Sequence, residues 1–207
     1  GDIAIGETAA NTIDITTGAD ILFDSLTAPS AITLAALTGT IAANTGAGDI
    51  DSGGDVTLRA QDIAIGDISS GGAVSATATA GNASFTDIDA ADSVTASAVG
   101  TLTADDIMTS SLGAGINLSA SGATGDVVTD ALATNSGDIL ISASRDISLG
   151  TAVTSAGTPT AGSIGLLAGR NVTATGLLNA GEDVAIRALG NATLADMQAG
   201  DDIAVQA

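Results

Sequence analysis

The chain has 207 residues and a formal net charge of −20, and it is 45% apolar yet only 1% aromatic, with no Trp and no Tyr. Its four basic residues are all arginine, and it holds no Cys and no His, which removes disulfides, thiol catalysis, the usual zinc sites and imidazole acid–base chemistry. A polyanion of this balance repels nucleic acid and acidic membrane surfaces, no apolar run nears the roughly 20 residues of a membrane helix, and the core must be packed from Ile, Val, Leu and Ala.

From the N-terminus onward the sequence keeps a rhythm. Asp2 to Glu7 reads as the later part of a repeat whose start is cut off. First-strand starts follow at Thr12, Ala31, Asp55, Ala73, Ser93, Gly115, Asp138, Ser163, Asp183 and Asp202, spaced by 18 to 25 residues. After each start the first and third residues are apolar, from Ile13/Ile15 and Ile32/Leu34 to Val184/Ile186 and Ile203/Val205. That period-two alternation predicts a strand with one inward face. A second strand follows at Ile21/Phe23, Ile41/Ala43, Ile63/Ile65, Ala83/Phe85, Leu102/Ala104, Val127/Thr129, Ile147/Leu149, Val172/Ala174 and Ala192/Leu194. The turn before it often holds Asp or Asn (Asp20, Asp62, Asn82, Asp126, Asp146, Asn171, Asn191), residues that bond within their own turn. A third strand comes five residues after the second, with Leu26, Ile68, Ile88, Ile107, Leu132, Leu177 and Met197 facing inward. The chain ends mid-rhythm, as it began, so it is expected to be a stretch of something longer.

A repeat of about twenty residues cannot bury its own apolar side and must stack on its neighbours. The expected fold is all-β: a single parallel β-helix over residues 1–207, with three short strands and three turns per coil and about ten coils. Parallel crossovers favour right-handed winding. At roughly 4.8 Å per coil the rod is on the order of 50 Å long.

The sharpest polar feature is the third-strand column Asp67, Asp87 and Asp106. Carboxylates about 5 Å apart in adjacent coils repel unless water, hydrogen bonds or a cation intervene. Calcium bridging is one reading and turn-capping carboxylates are the other; the calcium nonapeptide repeat is not reproduced. A glycosidase acid–base pair is a poor fit, because no aromatic platform or long insertion builds a cleft. Arg145 beside Asp146 reads as a surface ion pair. Asn82, Asn117, Asn171 and Asn191 each begin an Asn-x-Ser/Thr triplet, which the repeat generates by itself. The Thr77/Thr79 and Thr173/Thr175 pairs fall in different strands or distant coils and form no flat threonine face.

Two segments carry a resemblance: Gly137-Asp138-Ile139-Leu140-Ile141-Ser142-Ala143-Ser144-Arg145-Asp146-Ile147-Ser148-Leu149, and Leu167-Ala168-Gly169-Arg170-Asn171-Val172. Each resembles the repeats of filamentous-haemagglutinin-like adhesins, the large exoproteins of two-partner secretion. The resemblance spans nearly the whole chain. It implies a right-handed β-helix shaft, export through an outer-membrane secretion partner, and display at the bacterial cell surface facing host or neighbouring cells. The expected role is therefore structural, with no catalytic residue. The alternative is a filament or surface-layer subunit that stacks end to end.

Overall fold

The computed structural model describes residues 1–154 and 162–207. Among the described residues there is no helix, and every strand pairing is parallel. The expected first strands form one ten-stranded sheet, here called face A, running from Ile13–Thr17 through Val74–Ala78 and Ile139–Ala143 to Ile203–Gln206. One column links Ile13, Ile32, Val56, Val74, Val94, Ile116, Ile139, Ile164, Val184 and Ile203 without a slip. A slip of one residue would turn every Ile and Val of a strand outward, so the aliphatic alternation itself sets this register.

The second and third strands of each coil lie in the other, fourteen-stranded sheet. Four coils have the expected separate second and third strands, as in Asp62–Ala64 and Ile68–Ser70. In several coils the two strands are one continuous strand with a bend, as in Ile21–Ala28, Ala83–Ala90 and Leu102–Thr109. The bend comes from two successive non-inward residues. In Ile21–Ala28, Ile21, Phe23, Leu26 and Ala28 are buried, while Asp24 and Ser25 are not. The first of that pair drops out of the ladder, because Phe23 pairs with Ala43 and pairing resumes at Ser25 with Asp49. In these continuous strands one unpaired residue is thus enough to turn the chain, as in a β-bulge.

The inward third-strand column runs Thr8, Leu26, Ile50, Ile68, Ile88, Ile107, Leu132, Ala152, Leu178 and Met197. Leu178 replaces the expected Leu177, since the bend after Ala174 holds one residue more. Ile50 and Ala152 also belong to this column.

The interior is graded by width. At the corner that closes face A, the column reads Ala36, Ala60, Ala78, Ala98, Ala120, Ala143, Ala168 and Ala188, all buried. Both phenylalanines share one second-strand column, where Phe23 and Phe85 are buried next to Ala43 and Ala104 of neighbouring coils. A large ring beside a small side chain keeps the cross-section constant.

Candidate functional site

The third-strand acidic column is real and longer than Asp67, Asp87 and Asp106. Asp49 stands one coil before Asp67, because Ile50 pairs with Ile68. Asp87 and Asp106 are direct partners, and the column then continues into Ala131 and Thr151. Asp49 escaped the spacing argument because residues 44–48 intervene between its two strands.

Two of its carboxylates, Asp49 and Asp87, have a mechanical task. The Asp67 backbone N–H donates to Asp49 Oδ1 at 3.1 Å, and the Asp106 N–H donates to Asp87 Oδ1 at 3.3 Å. The same device recurs in the turn before the second strand. There Asp20 accepts from the Thr40 N–H at 2.8 Å, Asp62 from Asn82 at 2.7 Å, and Asn82 from Thr101 at 2.8 Å. Asp126, Asp146 and Asn171 accept from Asp146, Asn171 and Asn191 at 3.0 to 3.1 Å. A third column precedes face A, where Asp55, Asp138 and Asp183 accept from Ala73, Ser163 and Asp202 at 2.8 to 3.0 Å.

In each of these pairs the side chain satisfies the N–H at the start of the matching strand in the next coil. At these strand starts, the N–H of the first inward residue already bonds the carbonyl of the residue before the matching strand, as Ile63 does to Asn82. The N–H at the preceding position is then left for a side-chain oxygen. The expectation that these Asp and Asn residues bond within their own turn is therefore corrected: they bond across coils. Glycine makes the room. A Cβ at Gly81 would sit 1.9 Å from Asp62 Oδ1, and one at Gly100 would sit 2.2 Å from Asn82 Oδ1.

Arginines reinforce one stretch of this ladder. Arg145 reaches back one coil to Asp126, with Nε 2.8 Å from Oδ1 and Nη2 on Oδ2. Its sequence neighbour Asp146 is the more distant partner at 3.5 Å. Arg170 repeats the reach to Asp146, with Nη2 2.6 Å from Oδ2. The hydrogen bond from Arg145 is the main reason the Asp126 carboxyl titrates below its ordinary range, and the same bond raises Arg145. At the bend, the Thr45 N–H chiefly holds Asp24 below its ordinary value, with Thr45 Oγ1 and the Gly46 N–H adding to it.

An internal hydroxyl column was invisible in the sequence, since an inward Ser or Thr looks like an outward one. Ser52, Ser70, Thr109, Thr134 and Thr154 are buried at the ends of third strands. Their hydroxyls donate to the carbonyls of Ser30, Gly54, Ala114, Gly137 and Gly162 at 2.5 to 3.0 Å.

Of the Asn-x-Ser/Thr residues, Asn82 and Asn171 are occupied as coil-to-coil acceptors, while Asn117 is exposed on face A. Thr77 and Thr79 do not form one threonine face, since Thr79 lies beyond the strand end. Other hydroxyls do align, however: Thr33, Thr57, Ser75 and Thr95 in one outward column of face A, and Thr77, Ser97, Ser119 and Ser142 in the next.

Among the described residues no group of three or more acidic side chains is disposed to hold a metal ion, and no helix is long and apolar enough to cross a membrane. Comparison with protein-family models, curated proteins and solved structures finds no match to this chain.

Proposed function

We propose that this chain is a stretch of the shaft of a large exported bacterial surface protein of the adhesin type. The shaft holds a distal binding region away from the cell, towards host or neighbouring cells, after export through an outer-membrane partner. One observation carries the reading: in three outward columns, Asp and Asn side chains join a coil to the next at most of the junctions. Such a molecule is built for length and stiffness, and no residue is assigned a catalytic role. The resemblance of the Gly137–Leu149 and Leu167–Val172 segments to haemagglutinin-like repeats supplies the cell-surface setting.

A second reading is end-to-end stacking into a filament or surface layer. Antibodies raised against the purified chain test the first reading on intact bacteria that make the parent polypeptide. Labelling of unbroken cells is the expected result, and labelling only after lysis overturns it. Electron microscopy of the purified chain separates the two readings: discrete rods on the order of 50 Å support the shaft, and long unbranched fibres support the filament.

A further inference from the structure

We propose that face A is a lateral docking surface for a second copy of this chain, so that two rods lie side by side, sheet against sheet. Charge is the first observation. The described strands of face A hold two arginines, Arg59 and Arg187, against one carboxylate, Asp14. The described strands of the other sheet hold ten carboxylates and no base. In a molecule of net charge −20, face A is the side on which another such molecule meets least repulsion.

Exposed apolar side chains are the second observation: two lie on face A and three just past its strand ends, while Met108 and Val128 lie on the other sheet and Leu112 in a turn. Leu140 and Leu167 point outward from face A, 45% and 47% exposed, with Gly165 and Ala185 as small neighbours in the Leu140 column. Leu189, 70% exposed, borders a shallow groove there with Leu167 and Arg187. Leu37 and Val99, also exposed, directly follow face-A strands.

Area is the third. Ten strands of about five residues present a flat face of roughly 16 by 48 Å, which is near the 800 Å² per partner of a standard stable interface. Sheets so paired pack at about −30°, with side chains interdigitating. The hydroxyl columns Thr57, Ser75, Thr95 and Thr77, Ser97, Ser119 supply the polar part of the contact.

The test is sedimentation equilibrium of the purified chain across concentration, at low and high salt. The expected result is a monomer–dimer equilibrium that tightens as salt rises, because the contact itself is nearly uncharged while the bodies repel. Leu140→Asp with Leu167→Asp should weaken it by about tenfold or more, through like charges set facing one another. Met108→Asp, an equally exposed change on the acidic sheet, should leave it unchanged. Circular dichroism confirms that each variant keeps the strand signal. Because the chain has no cysteine, Ser142→Cys and Ser69→Cys add an independent readout: a short bis-maleimide should link copies through the first position and not the second. A chain that stays monomeric at high salt overturns the pairing and leaves the face to another partner. A dimer indifferent to the leucine substitutions overturns it as well, and places the contact at the coil ends.

Discussion

Thr129 puts a hydroxyl where its column neighbours put Ala104 and Leu149, and that buried oxygen finds no hydrogen-bond partner. Desolvating a hydroxyl without a partner costs on the order of 1–3 kcal/mol. Thr129→Val keeps the branched shape and removes the cost, so it should stabilise the chain by about 1 kcal/mol, raising Tm by about 2–4 °C in a chain of this size. A thermal melt followed by circular dichroism decides; an unchanged or lower Tm would mean that the hydroxyl has a partner. Asp126 gives a prediction in pH. Its carboxyl, held low by Arg145, favours folding fully above the unfolded value of about 3.9, and that gain is lost as pH falls through the lower folded value. Asp126→Asn keeps an oxygen for the Asp146 N–H but loses the charge pair. The parent should therefore melt above the variant at neutral pH, and the gap should close progressively below about pH 4. A gap that persists in acid would contradict the assignment.

Coils behave as interchangeable units only if the register is the organising constraint. Ser52-Gly53-Gly54 and Ser70-Gly71-Gly72 end consecutive coils with the same chemistry. Deleting residues 55–72 therefore removes one whole coil and rejoins matching ends. The shortened chain should keep its strand signal and melt within roughly a few degrees of the parent, as nearest-neighbour stacking requires. Deleting residues 55–63 removes half a coil and should abolish the cooperative melt. Equal behaviour of the two deletions would remove the case for register control.

The elements were legible in the sequence to the extent that their side chains were distinctive. Face A could be read strand by strand, because an Ile or Val opens it in every coil and a second aliphatic residue follows two positions on. The third strand was harder. Ala152 carries too little apolar signal, residues 44–48 hide Ile50 and Asp49, and one additional residue after Ala174 moves the inward role from Leu177 to Leu178. The fusion of second and third strands across a bend leaves no mark, since two successive outward residues look like a turn. The acidic column could be found from spacing, but its task of joining coils could not, because the acceptor and its N–H lie about twenty residues apart.

At the scale of the whole rod, the carboxylate ladders set how the molecule answers ions. Asp49 and Asp87 already accept backbone N–H groups, and the net charge of −20 makes self-repulsion the larger effect. Salt should raise Tm by screening, and calcium chloride should raise it no more than sodium chloride at equal ionic strength. A rise specific to calcium would instead establish the Asp67, Asp87 and Asp106 column as a binding site.

Spin labels placed in one outward column test the stack most directly. Ala64, Ser84, Ser148 and Thr193 share the second-strand column that links successive coils. With one coil per column step, Ala64 to Ser148 should measure about 19 Å, Ser84 to Thr193 about 24 Å and Ala64 to Thr193 about 29 Å at 4.8 Å per coil. Distances on that line are the predicted result, and distances unrelated to the number of intervening coils would contradict the stacked solenoid.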